Sequence, residues 1–269
     1  MSLKLLTYAT PEFELNARDF CKSAIDVGFA AASLITPSDI SDTAFYQDNR
    51  DLFSRARGAG YWLWKPYIII QELKRCRPGD IVLYSDAGRT SYYQFSKFPQ
   101  QLVKACLQSS EGFLLGPSVP HLGNLRRWTK RDCFILMGAD RKEVSDRPAI
   151  VTWSLWRSTP NAFEFLEKWL EYCLDRRCLT DDPNSCGLPN YEEFQDHRHD
   201  MSILSILAYR DGAPFLDFSN TAVQKMIDWR PFSSVGGNFY KRPGNVDDLM
   251  RRDSPFLVIR EHFRLKRLS

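Results

Sequence analysis

Residues 58–89, GAGYWLWKPYIIIQELKRCRPGDIVLYSDAGR, contain the signals that decide the fold. Aromatic residues surround Lys65, and Pro66 suits the first turn of a helix because its missing N–H has no helical partner to lose there. That helix is expected to end near Arg75, ahead of a turn and the short hydrophobic strand IVLYS. Asp86 follows this strand, and α/β proteins bind ligands in the crevice beyond the carboxyl ends of such strands.

Strand and helix patterns alternate through most of the chain, which predicts an α/β fold with a mostly parallel central sheet flanked by helices. The 269 residues contain no internal repeat or linker, so a single domain is expected. Strands are expected at residues 3–9, 29–35, 81–85, 112–115, 149–156 and 215–218. Helices are expected at residues 98–109 and 201–209. Two further helices are expected to end near residues 27 and 75, and another is expected to begin at residues 159–160. Residues 175–190 are expected to form a polar loop.

Composition limits the range of partners and compartments. A net charge of +3 gives no argument for a nucleic-acid partner, and the seven cysteines are scattered without a CxxC pair, which favours reduced thiols in a cytoplasm. We see no signal peptide and no run long enough to span a membrane. The chain ends in a basic stretch, residues 251–267, which either rests on the inner face of an anionic membrane or is simply solvated.

Two neighbouring groups of residues are candidates for binding a phosphorylated ligand. Asp86 lies in YSDAG, residues 84–88, where Gly88 lets a ligand approach the backbone. A carboxylate at this position can hold Mg²⁺ or Mn²⁺ on a diphosphate, or it can be an ordinary turn aspartate. In YWLWKPY, residues 61–67, the aromatic rings can stack on a base or sugar while Lys65 neutralises a phosphate. The alternative is an aromatic core patch with Lys65 reaching solvent.

Four short blocks carry a resemblance to a known family. They are GYW at residues 60–62, WKPYI at 64–68, YSDAG at 84–88 and DHRHDMSILS at 196–205. Together they resemble a group of small bacterial and viral glycosyltransferases of the GT-A fold from surface-polysaccharide pathways, whose last block reads HRHDQSILS. The resemblance spans roughly residues 49–207. Its separated blocks in the right order are specific for the group but say little about donor or acceptor.

The resemblance implies transfer of a monosaccharide from a nucleotide diphosphate sugar to a glycan or lipid-linked glycan acceptor. It places the donor in about residues 1–110 and the acceptor in about residues 111–269. The donor-binding candidates are Tyr8, Arg57, Tyr61, Trp64, Lys65, Ser85, Asp86, Ala87 and Gly88. Trp153 and His199 are the candidates for the acceptor side, although Trp153 reads equally well as a core residue.

The same resemblance implies Mn²⁺ or Mg²⁺ as a cofactor. GT-A enzymes generally carry Asp-x-Asp at the strand end, but this chain has Gly88 at the second acidic position, so only Asp86 carries over. Such enzymes often take a further ligand from a histidine near the C-terminus. His262 is the candidate for that ligand, and a surface histidine is the alternative.

The acidic residues of the last block are the catalytic candidates. In GT-A enzymes an acidic residue at about this place in chain order lies near the acceptor, and in inverting members it is the general base. Asp200 is favoured over Asp196 for this role. A retaining enzyme would instead use Asp200 or Gln195 to position the sugar, and a purely structural Asp200 would cap the following helix.

Two other functions remain as alternatives. His197, His199 and Asp200 suggest a zinc hydrolase, although no further histidine cluster completes such a site. A non-catalytic carbohydrate or nucleotide binder on the same fold is the second alternative. The absence of GxxxxGK[ST] and GxGxxG patterns argues against a kinase or a dinucleotide-dependent oxidoreductase. The basic block at residues 126–132 can contact an anionic acceptor or form a solvated helix face.

Overall fold

A central sheet organises the protein. The structure, a computed structural model, describes residues 1–87, 100–150 and 153–217. The described strands are β1 (Leu3–Tyr8), β2 (Ala31–Ile35), β3 (Ile81–Tyr84), β4 (Phe113–Pro117), β5 (Ser154–Arg157) and β6 (Phe215–Leu216). They form a six-stranded sheet in the order β2-β1-β3-β5-β4-β6. The expected α/β class is therefore confirmed.

The sheet is mixed and mostly parallel. Strand β1 pairs in parallel with β2 and β3, and β4 pairs in parallel with β6. Strand β5 runs antiparallel to both of its neighbours, β3 and β4. The carboxyl ends of β1, β2, β3, β4 and β6 therefore lie on one edge of the sheet, together with the amino end of β5. We refer to this edge as the carboxyl edge.

Helices of very different length connect the strands. They are α1 (Pro11–Asp26), α2 (Pro37–Ile40), α3 (Ala44–Asp48), α4 (Arg50–Phe53), α5 (Gly58–Tyr61), α6 (Trp64–Lys74), α7 (Gln100–Gln108), α8 (Arg131–Leu136), α9 (Lys142–Ser145), α10 (Pro160–Leu174), α11 (Arg176–Leu179) and α12 (Asp200–Asp211). Within the described ranges, none of these helices has the length and apolar character needed to cross a membrane.

The longest helices bring the candidate residues together. Helix α10 begins at Pro160 after Thr159, whose hydroxyl accepts a hydrogen bond from the backbone N–H of Ala162 at 3.3 Å. Helix α10 contacts both α6 and α12. Its buried Trp169 donates a hydrogen bond to the backbone carbonyl of Asp200 at 3.1 Å. Buried hydrophobic residues from β1 through β6 form one continuous core around these contacts.

Several sequence-based boundaries were wrong. Residues 149–156 do not form one strand: β5 begins at Ser154, Ile150 makes only an isolated bridge, and residues 151–152 lie outside the described ranges. The expected loop at residues 175–190 contains the short helix α11. Asp200 does not cap α12: His199 occupies the cap position and Asp200 is the first helical residue.

Candidate active site

An unusual backbone turn leads into the aromatic cluster. Five consecutive residues have positive φ angles: Gly58 (59°), Ala59 (49°), Gly60 (94°), Tyr61 (56°) and Trp62 (61°). L-residues avoid this left-handed region at about 1–2 kcal/mol each, so the turn stores strain that the surrounding packing must offset. The indole N–H of Trp64 donates to the Gly58 carbonyl at 3.0 Å and fixes the start of α6.

Two carboxylates from separate blocks meet the ammonium of Lys65. Its Nζ lies 2.8 Å from Asp200 Oδ2 and 3.4 Å from Asp86 Oδ1, and only 2% of the Lys65 side chain is exposed. Burial opposes the positive charge, but the attraction of Asp200 and Asp86 outweighs it and raises the pKa of Lys65. The lysine is therefore a buried cation between two acidic groups. It does not reach solvent as the core-patch alternative expected.

The two carboxylates differ in accessibility. The Asp200 side chain is 4% exposed, whereas that of Asp86 is 39% exposed. Burial raises the pKa of Asp200 to about 6, although Lys65 acts in the opposite direction. The hydroxyl of Tyr84, the last residue of β3, donates to Asp86 Oδ1 at 2.5 Å. Asp86 is thus the more accessible of the two carboxylates, and Asp200 is the buried one.

His199 joins the segment before Asp200 to the left-handed turn. Its ring centre lies 4.6 Å from that of Tyr61 and 5.6 Å from that of Trp62. Its backbone adopts φ 50° and ψ −119°, which is strained for any residue except glycine. Nδ1 donates to the Leu179 carbonyl at 2.7 Å, and burial lowers the pKa of His199 to about 4. His199, which was expected to bind the acceptor, is therefore a buried and neutral imidazole in this structure.

His197 is also bound to the backbone. Its Nε2 donates to the Cys178 carbonyl at 2.8 Å, and its Nδ1 accepts from the Lys130 N–H at 3.3 Å. Burial, with a contribution from His199, lowers the pKa of His197 well below its usual range. Among the described residues no group of three or more His, Cys, Asp or Glu side chains can hold a metal ion. The zinc-hydrolase alternative therefore has no metal cluster in this part of the chain.

Asp196 belongs to a different cluster from Asp200. Its Oδ2 lies 2.7 Å from Arg57 Nη2 and 3.5 Å from Arg198 Nε. Arg57 also contacts Asp181 at 3.2 Å and donates to the His197 carbonyl at 3.2 Å. The structure therefore brings Asp86, Lys65 and Asp200 together, and separately brings together Arg57 and Asp196.

The remaining candidate residues are mostly buried. Tyr8 and Trp64 stack on each other with ring centres 3.8 Å apart, and Tyr61, Ser85 and Trp153 are also buried. Ala87 is partly exposed beside Asp86. Trp153 directly precedes β5 and so lies at the carboxyl edge. Gly88, His262 and the basic residues 251–267 lie outside the described residues.

A cleft that the sequence patterns did not reveal lies at the carboxyl edge. It has a volume of about 540 Å³ and is lined by Pro11, Glu14, Arg18, Leu34, Thr36, Pro37, Ser38 and Asp39. These residues follow β1 and β2 or belong to the end of β2. The proline that begins each following helix, Pro11 in α1 and Pro37 in α2, is the sequence signal that marks where these loops turn away from the sheet.

Neither the models of known protein families nor the curated proteins give a match to this chain.

Proposed function

We propose that this protein is a glycosyltransferase of the GT-A type. It transfers a monosaccharide from a nucleotide diphosphate sugar to a glycan or lipid-linked glycan during surface-polysaccharide assembly, in the cytoplasm or at the inner face of the membrane. The observation that carries the proposal is the meeting of Asp86 and Asp200 at Lys65, 3.4 Å and 2.8 Å from its Nζ. These residues come from three of the four blocks on which the family resemblance rests.

The carboxyl edge offers room for the donor. The cleft beside β1 and β2, about 540 Å³, is within the size range of small-molecule sites, roughly 300–1,000 Å³. Asp86 follows β3, the parallel neighbour of β1, on the same edge of the sheet. A nucleotide in the cleft with its diphosphate directed toward Asp86 follows the usual placement of ligands in open α/β sheets.

Asp86 fits one part of a divalent metal site. Mg²⁺ is often held by one or two protein carboxylates together with substrate phosphates, and Asp86 is a partly exposed carboxylate at the edge where the diphosphate would lie. Asp86 would therefore hold Mn²⁺ or Mg²⁺ jointly with the donor, with His262 proposed as a further ligand. When bound, the ion offsets the negative charge that develops on the departing diphosphate.

Asp200 is proposed as the group that acts on the acceptor. In an inverting reaction its carboxylate takes the proton from an acceptor hydroxyl while that oxygen bonds to the anomeric carbon. The bond from this carbon to the diphosphate breaks, and the nucleoside diphosphate leaves with the bonding electrons. The pKa of about 6 makes Asp200 a stronger base than an ordinary aspartate. In a retaining reaction Asp200, or Gln195, would position the sugar instead.

A non-catalytic binder is the second candidate, and the burial of Asp200 favours it. A carboxylate that is 4% exposed and paired with Lys65 needs a change in its surroundings before a hydroxyl can reach it. A binder would take up the same donor without turning it over. Donor binding together with turnover separates the two functions.

The proposal is tested first by binding. The folded protein is screened by thermal shift against UDP, GDP, CDP, TDP and their sugars, with and without Mn²⁺. A ligand at a hundredfold excess over its Kd stabilises the protein by about 2.7 kcal/mol. Asp86→Asn should reduce the shift and its Mn²⁺ dependence, whereas Asp182→Asn, which changes an exposed aspartate, should not. A chain that binds none of these ligands is not a nucleotide-sugar enzyme.

A further inference from the structure

The basic block at residues 126–132 contains two kinds of arginine. Arg126 pairs with Asp146 and lies 3.1 Å from Glu193, and Arg131 lies 2.7 Å from Asp140. Arg127 has no carboxylate partner in the part of the chain that the structure describes. The block is therefore not a uniformly solvated face, because Arg126 and Arg131 are paired with carboxylates and Arg127 is not.

Trp128 supports both Arg127 and Arg198. The guanidinium carbon of Arg198 lies 4.7 Å from the centre of the Trp128 ring, and that of Arg127 lies 5.7 Å from it. The indole N–H donates to the Leu122 carbonyl at 2.8 Å, and the Trp128 carbonyl accepts from the Ser202 hydroxyl at 2.6 Å. Two guanidinium groups are therefore held against one immobilised ring. This reduces the conformational entropy that the two side chains lose when a ligand binds.

The charge of Arg198 is only partly neutralised by a carboxylate. Its carboxylate contact is with Asp196, at 3.5 Å, and the same oxygen of Asp196 lies closer to Arg57, at 2.7 Å. Among the described residues, Arg57 and Arg198 pair with the carboxylates of Asp196 and Asp181 and Arg127 pairs with none, so three arginines have two carboxylate partners. The Arg198 side chain is partly exposed and accessible from solvent.

This arginine pair belongs to chain segments that are connected to the start of α12. Arg198 is two residues before Asp200, and the N–H groups of Gln195 and Asp196 both donate to the Arg127 carbonyl, at 2.9 and 3.3 Å. The segment that carries Arg127 is therefore hydrogen-bonded to the segment that leads into α12. A group bound by the two arginines would be close to the chain segment that presents Asp200.

We propose that Arg127 and Arg198, held on Trp128, form a binding site for an oxyanion of the acceptor. Guanidinium groups bind phosphate and carboxylate through paired N–H donors, which suits a phosphate-linked carrier or an acidic sugar. The site thus defines the acceptor as an anionic glycan or a phosphate-linked glycan. The assignment to an acceptor rests on the proposed transferase function, but the anion site itself is testable without turnover.

The test follows the side-chain Nε–H signals of Arg127 and Arg198 by NMR in the isotope-labelled full chain. The signals are assigned from the single variants Arg127→Gln and Arg198→Gln. Three probes with the same sugar ring are titrated: methyl glucuronide, glucose 1-phosphate and methyl glucoside. The carboxylate and phosphate probes should move both signals, and the neutral probe should not. The anionic probe that binds more tightly identifies whether the oxyanion of the acceptor is a carboxylate or a phosphate.

A matched charge change provides the control. Arg127→Gln/Arg198→Gln should weaken binding of the better anionic probe about tenfold or more, because each hydrogen bond to a charged group contributes to affinity. Arg141→Gln/Lys142→Gln removes the same charge from exposed positions at the start of α9 and should leave the affinity unchanged. Equal weakening by both double variants would show a general charge effect and overturn the site.

Further outcomes separate this inference from the transferase proposal. Anionic probes that leave both arginine signals unmoved, in a protein that binds a nucleotide sugar, overturn the anion site alone. Displacement of the probes by the nucleoside diphosphate would assign the arginines to the donor and overturn the acceptor assignment. Probe binding without any nucleotide-sugar binding would also overturn the acceptor assignment, because the transferase proposal would then have failed.

Discussion

Lys65 and Asp200 form a buried ion pair with 2.8 Å between Nζ and Oδ2, and both side chains are less than 5% exposed. The pair connects the start of α6 to the first residue of α12, and Asp86 joins it from the end of β3 at 3.4 Å. Removing one partner of such a pair leaves an uncompensated charge in a medium that solvates it poorly. The candidate site and the stability of the fold are therefore coupled.

Substituting either residue of this pair should strongly destabilise the folded protein. We expect Lys65→Met or Asp200→Leu to lower the free energy of unfolding by about 3–5 kcal/mol, and the double variant to lose clearly less than the sum of the two. The measurement is equilibrium unfolding in denaturant. Lys168→Met is the control, because Lys168 and Glu164 also lie 2.8 Å apart but are 44% and 67% exposed. This control should cost less than about 1 kcal/mol. Additive losses in the double variant would show that Lys65 and Asp200 do not act as a pair.

The left-handed turn gives a second prediction. Gly58 and Gly138 have nearly the same φ, 59° and 62°, but an added Cβ would lie 2.4 Å from the Trp62 ring at Gly58 and would meet nothing within 4 Å at Gly138. Gly138→Ala should therefore cost about 1 kcal/mol, from backbone strain alone. Gly58→Ala should cost distinctly more and should also weaken nucleotide binding, since the turn positions Lys65. Equal losses of stability in the two variants would contradict a packed turn.

Because two of its histidines are buried, the protein should lose stability in acid. Burial depresses the folded-state pKa of His197 and lowers that of His199 to about 4, from an ordinary value of 6.5. The unfolded chain therefore binds more protons below pH 6.5, and stability falls as the pH drops from 6.5 toward 4. Asp200, whose pKa is raised to about 6, acts in the opposite direction over part of this range.

A substitution at His197 separates these opposing contributions. His197→Gln keeps a donor and an acceptor for the backbone groups but cannot be protonated. Its unfolding free energy, measured between pH 7 and pH 5, should fall less than that of the wild-type protein. The same decrease in both proteins would mean that His197 is not a buried neutral imidazole.

Activity should depend on the ionisation of Asp200. A base must be deprotonated to act, so kcat/KM should rise with pH and level off above an inflection near 6, the pKa of Asp200. The measurement is the pH profile of kcat/KM, which reports groups of the unliganded protein. An activity that is constant from pH 5 to pH 8 would remove Asp200 from the role of base and favour a positioning role.

The sequence predicted the class of fold better than its details. Alternating strand and helix patterns correctly indicated an α/β protein, because burial of one face or one stripe determines hydrophobic spacing. The direction of a strand does not change its hydrophobic spacing, so the pattern does not reveal it. The hydrophobic run around Ser154 gave no sign that β5 would run antiparallel to its neighbours. The start of α12 was also misplaced, because Asp200 is a favourable cap by residue type but contacts Lys65 instead.

The site was only partly accessible to sequence reasoning. Lys65, Asp86 and Asp200 were each selected, but their meeting in space depends on the packing of α6, α10 and α12. Asp196, only four residues before Asp200, instead joins Arg57, and the strained residue His199 lies between the two aspartates. The stacking of Tyr8 on Trp64 also required the tertiary structure, since two aromatic residues far apart in sequence carry no signal of contact.

The decisive measurement is the release of a nucleoside diphosphate from a panel of nucleotide sugars, assayed with Mn²⁺ and with glycan acceptors. The wild-type protein should release one nucleoside diphosphate, and Asp200→Asn should reduce the rate by roughly 10²–10⁴-fold, as expected for loss of a general base. Asp182→Asn should retain the wild-type rate. No release from any donor, or an Asp200→Asn protein as active as the wild type, would contradict a transferase that works through Asp200.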